Sequence, residues 1–223
     1  MTARPAVLVA LLRYQAALLL RSQRWLAPVL LYAAFLAVGI RPGDPVLDSL
    51  GYAAAGLVPV TAWLVRICVT AEPDAARDCV AAAAGPVRVH AAALLTALAG
   101  ALAAGGASAL AVLLLCDRGG VPAGDAGLAG ALAVAACALT GGAVGALGSR
   151  PLLGRPGFAV LATGLGSLLA WGVGASPARL AVTALVVGSR ERTLPLPLSE
   201  CAVALLLAAG AGAVACAAAA RRR

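Results

Sequence analysis

The sequence predicts an all-α integral membrane protein. It comprises an N-terminal interfacial elbow helix, six transmembrane helices, cytoplasmic termini and a short re-entrant or interfacial segment before the last span. Three observations carry this prediction. Apolar residues make up 62% of the chain and charged residues 12%, against roughly 45–50% and 25% in a soluble domain. The mean hydropathy is +0.98. The charges gather in short stretches between long uncharged runs, as in a chain that repeatedly enters and leaves hydrocarbon. A globule of 223 residues has too little interior for so much apolar side chain, which excludes an ordinary soluble enzyme, and the same apolarity excludes a disordered chain.

Taken in order, the segment 5–24 comes first. Arg13, Arg21 and Arg24 fall within one arc of its helical wheel and Leu12 and Leu19 lie elsewhere, which reads as a helix in the membrane interface. Two shorter apolar runs follow, Trp25–Ile40 and Ser49–Val65. Trp25 and Tyr32 suit an interface, Arg24 and Arg66 can snorkel, and Pro59 should kink the second run and widen a cavity. Four longer runs, Ala91–Cys116, Ala126–Ser149, Gly157–Ala178 and Cys201–Ala220, contain 20 to 26 residues each, enough to cross about 30 Å of hydrocarbon. Between the fifth and sixth runs lies an external segment, 179–200. Its apolar stretch Leu180–Ser189 is too short to span, and the prolines of Thr193–Ser199 stop any helix before the last run. With the N-terminus inside, twelve arginines fall on the cytoplasmic side and five outside, while most acids fall outside, in agreement with the positive-inside rule. The whole chain, 1–223, reads as one transmembrane domain.

Composition also bounds the chemistry. All 17 basic residues are arginine, so the chain has no lysine for a P-loop or a Schiff base. One histidine, His90, excludes a multi-histidine metal site. It starts a span, where pairing with Ser108 or Ser176 for intramembrane proteolysis would need a coincidence of geometry. The six cysteines form no C-x-x-C pair and read as small buried hydrophobes. The net charge of +8 is dispersed in patches of alternating sign, which argues against nucleic-acid binding. The centres of the spans lack ionisable groups, which argues against a proton- or ion-coupled carrier. Thr140, Thr163 and Ser167 remain as groups for a polar solute. Gly141 and Gly145 form a GxxxG pair, suited to packing within the chain or to a dimer face.

The most distinctive segment is the cytoplasmic loop 71–87 and its continuation, EPDAARDCVAAAAGPVRVH from Glu72 to His90. A charged turn leads a short helix over Ala76–Ala84, then Gly85-Pro86 and Arg88, then a long span. This resembles the loop between the second and third spans of ABC-2 type transporter permeases, and the elbow helix, six spans and broken outer segment are similar to that family along nearly the whole chain. The resemblance implies the membrane-spanning permease subunit of an ATP-driven bacterial exporter, multi-pass in the plasma membrane, and not itself an enzyme. A second permease copy or paralogue would complete the path. A pair of P-loop ATPase subunits, carrying ATP-Mg, would dock on the loop, so this chain would hold no cofactor or metal. Glu72, Asp74, Arg77, Asp78, Pro86 and Arg88 would form the ATPase contact. The alternatives are a secondary transporter or small channel working without an ATPase, and a non-transporting membrane scaffold.

Overall fold

The computed structural model describes residues 3–221. Nine helices and no strand form among them: α1 (Ala3–Ser22), α2 (Leu26–Gly39), α3 (Val46–Thr70), α4 (Asp74–Ala84), α5 (Pro86–Leu115), α6 (Ala123–Leu147), α7 (Pro156–Gly172), α8 (Pro177–Glu191) and α9 (Leu198–Arg221). Arg222 and Arg223, counted above on the cytoplasmic side, lie outside the described residues.

The class is as expected, but the count of spans differs. α3, α5, α6 and α9 are each long and apolar enough to cross a membrane, and α7 with α8 makes a fifth crossing if the pair, bent by 44°, is taken as one. α2 has 14 residues, about 21 Å of helix against roughly 30 Å of hydrocarbon. The expected first span is thus the short member of the bundle. Tyr32 on α2 is buried, where the sequence placed it at an interface; its hydroxyl donates to the Ala53 carbonyl and pairs with the Ser108 hydroxyl, both at 2.8 Å. The phenol is a pin joining α2 to α3 and α5, because a buried hydroxyl must find a partner.

α3 is the hub. In its most apolar stretch 67% of residues are buried, against 17% in α9, and α2, α5, α6, α7 and α8 all pack on it. Leu50, Leu57 and Leu64, one heptad apart, are fully enclosed. α6 lies parallel along α3 with glycines at the contact: Gly130 meets Leu50, Gly141 meets Val58 and Thr61, and Gly145 meets Ala62 and Val65. Small residues let two backbones approach closely where no water drives association. α9 rests on α6 through Ala204, Ala211 and Ala215 and exposes Leu205, Leu206 and Leu207, a face suited to lipid.

The connections gather at two ends. At one end the α2–α3 and α5–α6 loops are stitched by backbone bonds, Val46 N–H to the Asp117 carbonyl and Asp117 N–H to the Asp44 carbonyl, each 2.9 Å. Gly188 and Thr193 of α8 and its exit share that concavity. At the other end stand α4, the α6–α7 turn and Ala219 near the end of α9.

The segment before α9 departs most from expectation. The fifth run, expected over Gly157–Ala178, stops at Gly172. Leu180–Ser189 belongs to α8. α7 begins beside Arg66, whose guanidinium donates to the Pro156 carbonyl at 3.4 Å. Trp171 stands against Pro59, halfway along α3. Val182 and Leu185 rest on Gly51 near the far end. The pair therefore runs alongside α3 from one end towards the other, with the geometry of a broken span or a re-entrant pair. Pro177 opens α8 after the break, at a position that needs no N–H donor. The freed carbonyls of Trp171 and Gly172 accept from the Arg179 guanidinium at 3.4 and 3.2 Å. Arg179, expected in an outer loop, thus sits at the break between the two helices.

Candidate functional site

The α4 end concentrates the charged residues singled out in the sequence. Thr70 closes α3, Pro73 precedes α4, and Gly85 at φ +89° ends it with its N–H on the Ala81 carbonyl. That backbone conformation is strained for any residue with a Cβ. Pro86 then opens α5 at a position that needs no N–H donor. No residue of α4 is fully buried. Its inner side carries Val80 and Ala84, half-buried against Leu11 of α1 and Val89 of α5. Its outer side carries Asp74, Asp78 and Ala82, four residues apart, with Cys79 beside them, all exposed.

The six expected contact residues divide into two sets. Glu72 is only 7% exposed, and its Oε1 accepts from the Tyr14 hydroxyl at 2.6 Å. The Arg77 guanidinium donates to the Val69 carbonyl at 3.0 Å and to His90 Nδ1 at 3.2 Å. Arginine only donates, so Nδ1 accepts and the proton resides on Nε2. These two side chains brace α4 against α1, α3 and α5. Burial lowers the Arg77 pKa from its ordinary value, opposed by the Glu72 charge and assisted by the Arg150 guanidinium. The second set faces outward. Asp74 pairs with Arg150 of the α6–α7 turn at 2.7 Å, both exposed. Asp78 is exposed, and Arg88 is exposed with one bond at 3.3 Å to the Ala84 carbonyl. Pro86 is half-buried at the hinge. A cleft of about 540 Å³ opens between α4 and the α6–α7 turn, with Asp74, Arg77, Asp78 and Arg150 on its walls. Of the six residues expected at an ATPase contact, Glu72 and Arg77 are engaged within the chain, while Asp74, Asp78 and Arg88 are exposed.

Tyr14, His90 and Arg150 were missed as partners. A lone polar residue at the apolar start of α5 was the available signal for His90; for Tyr14 there was none, since the pairing spans 58 positions. Donation to Glu72 holds the Tyr14 phenol above its usual pKa of 10.0, with burial and the carboxylate charge adding to it. The bond exists while the phenol is protonated, so its contribution is present below pH 10 and lost as pH rises through the raised value. Tyr14→Phe is expected to lower stability by about 1.5 kcal/mol, the low end for a bond to a charged group because Tyr14 is partly exposed. Equal melting of the two proteins at neutral pH would contradict this assignment.

The other candidates are used locally. Gly141 and Gly145 face α3, so this face is filled within the chain. Thr140, Thr163 and Ser167 donate to carbonyls one turn earlier at 2.7–2.8 Å, which leaves their hydrogens unavailable to a solute. Ser108 is bonded to Gly105 and Tyr32 and lies eighteen positions beyond His90 on the same helix, about 27 Å away. No group of three His, Cys, Asp or Glu side chains among the described residues could hold a metal ion. Comparison with protein-family models, curated proteins and solved structures returns no match for this chain.

Proposed function

We propose that the chain is the membrane-spanning permease subunit of an ATP-driven exporter of the ABC-2 type, lying in a bacterial plasma membrane with both termini cytoplasmic and α1 as the elbow helix. The observation that carries this reading is α4. A short helix with no buried residue stands between two bundle helices, presents acids and small side chains outward, and is tied at its base to three other helices. A folded chain gains little from such an element by itself, since helical stability comes mainly from packing an apolar face. Contact with a partner accounts for it. Closure of a separate ATPase pair would press on Asp74, Asp78 and Arg88. Arg77 would pass the displacement to the end of α3 and the start of α5, and Glu72 would pass it to α1. A second permease, identical or paralogous, would complete the path, and the apolar spans favour a hydrophobic or amphipathic cargo.

Purification from native membranes tests this reading. A P-loop ATPase should accompany the chain and slow alkylation of Cys79, the exposed cysteine among the described residues. Asp74→Ala with Asp78→Ala should lose that ATPase while shifting stability by less than about 1 kcal/mol, as usual for exposed charges. A chain that purifies alone, with Cys79 equally reactive in membranes and detergent, would refute it. A second reading, a carrier needing no ATPase, is favoured by the broken α7–α8 pair with Arg179 at the break, because discontinuous helices and intramembrane charges mark solute sites. ATP-independent uptake abolished by Arg179→Ala would select that reading.

A further inference from the structure

Two cavities meet at Arg66. One is an apolar groove of about 570 Å³ between α3 and α7, walled by Pro59, Trp63, Leu168 and Trp171. The other is a polar cleft of about 270 Å³ at the α4 end, where Arg66 and Thr70 of α3 face Ser149 and Arg150 of the α6–α7 turn. Arg66 lines both. We propose that together they bind one anionic phospholipid from the leaflet at the α4 end, with an acyl chain between α3 and α7 and the phosphate at Arg66.

The charge favours an anion. The Arg66 guanidinium makes a single long bond, 3.4 Å to the Pro156 carbonyl, and the ion pair found among the described residues joins Arg150 to Asp74 instead. The acid on the cleft wall, Glu72, already accepts from Tyr14. Guanidinium donors held at the end of an apolar slot match a phosphate above a hydrocarbon tail. The length agrees as well. The groove begins at Arg66 and is closed by Trp171 beside Pro59, halfway along α3, so it spans one leaflet and not two. Its floor is lowered at Gly164, where an added Cβ would meet nothing within 4 Å. The outer face of α7 carries Leu161, Leu165 and Leu169, all exposed, which leaves the groove open sideways to the bilayer.

The test is native mass spectrometry of the full chain released from bilayers of mixed phosphatidylglycerol and phosphatidylcholine. One phosphatidylglycerol per chain should remain bound after other lipids are stripped. Arg66→Gln should reduce its retention relative to phosphatidylcholine about fivefold, the effect of one interfacial arginine at roughly 1 kcal/mol. Gly164→Trp should fill the slot and abolish retention of both lipids, and Leu206→Trp on the exposed face of α9 should change neither. Equal retention of the two lipids by the unmodified chain would overturn the proposal. So would unchanged retention in the Gly164 variant accompanied by a change in oligomeric state, which would make the groove a protein interface. The inference does not depend on the exporter reading, since the lipid is measured without ATP or an ATPase.

Discussion

Gly141→Leu is expected to lower stability by about 3 kcal/mol, the upper end for overpacking a filled core. A Cβ at this position falls on the Val58 carbonyl and within 3.0 Å of Thr61 Cβ. Part of what it strikes is α3 backbone, and no rotamer change can relieve that clash. Gly145 repeats the situation one turn later, with Val65 Cβ at 2.7 Å and Ala62 Cα at 3.0 Å. The helix would gain about 1 kcal/mol of propensity from losing a glycine, which offsets only part of the cost. Gly142 is the control: its nearest neighbour, Thr61 Cγ2, is 4.0 Å from the added carbon, so Gly142→Ala should be neutral or slightly stabilising. Unfolding in graded detergent mixtures reads both. If Gly141→Leu melts like the parent chain, the α3–α6 contact described above is wrong.

Arg77→Ala should cost about 2–3 kcal/mol, because two acceptors, the Val69 carbonyl and His90 Nδ1, lose a charged donor in a partly buried site. Arg77→Lys should recover only part of this. A single ammonium cannot reproduce a planar fork that reaches two acceptors on different helices. The local signature is faster alkylation of Cys79, since α4 loses its tie to α3 and α5 while Glu72 and Tyr14 still hold the preceding turn. Unaltered melting and unaltered Cys79 reactivity in Arg77→Ala would show that α4 is held by its apolar side alone. Asp78, one position along, should show neither effect, which separates the bracing set from the presented set in one experiment.

The helical membrane class was legible because it follows from composition and the spacing of charge. Helix ends were less so. Charges were read as exits from the membrane, yet α3 keeps Asp48 and Arg66 inside a single helix of 25 residues, each near one of its ends. The α7–α8 break was written in Gly174 and Pro177, but an apolar run crosses it without a charge until Arg179, and run length concealed it. In the candidate site, the identity of the charged turn could be read and its facing could not. Whether Glu72 points outward depends on Tyr14, a residue on a different helix, and no periodicity within 71–87 carries that information.

The central position of α3 has a consequence for how the chain is made. It is the second bundle helix to leave the ribosome, yet most of what covers it (α5, α6 and α8) is synthesised later. Until residues 177–191 emerge, the surface around Gly51 that receives Val182 and Leu185 faces lipid or an insertion factor. A nascent chain halted before α6 would therefore hold α3 with its glycine-contacting face bare. The final arrangement is reached by late helices closing on an early one, with Arg179 meeting the Trp171 and Gly172 carbonyls only once α8 has formed.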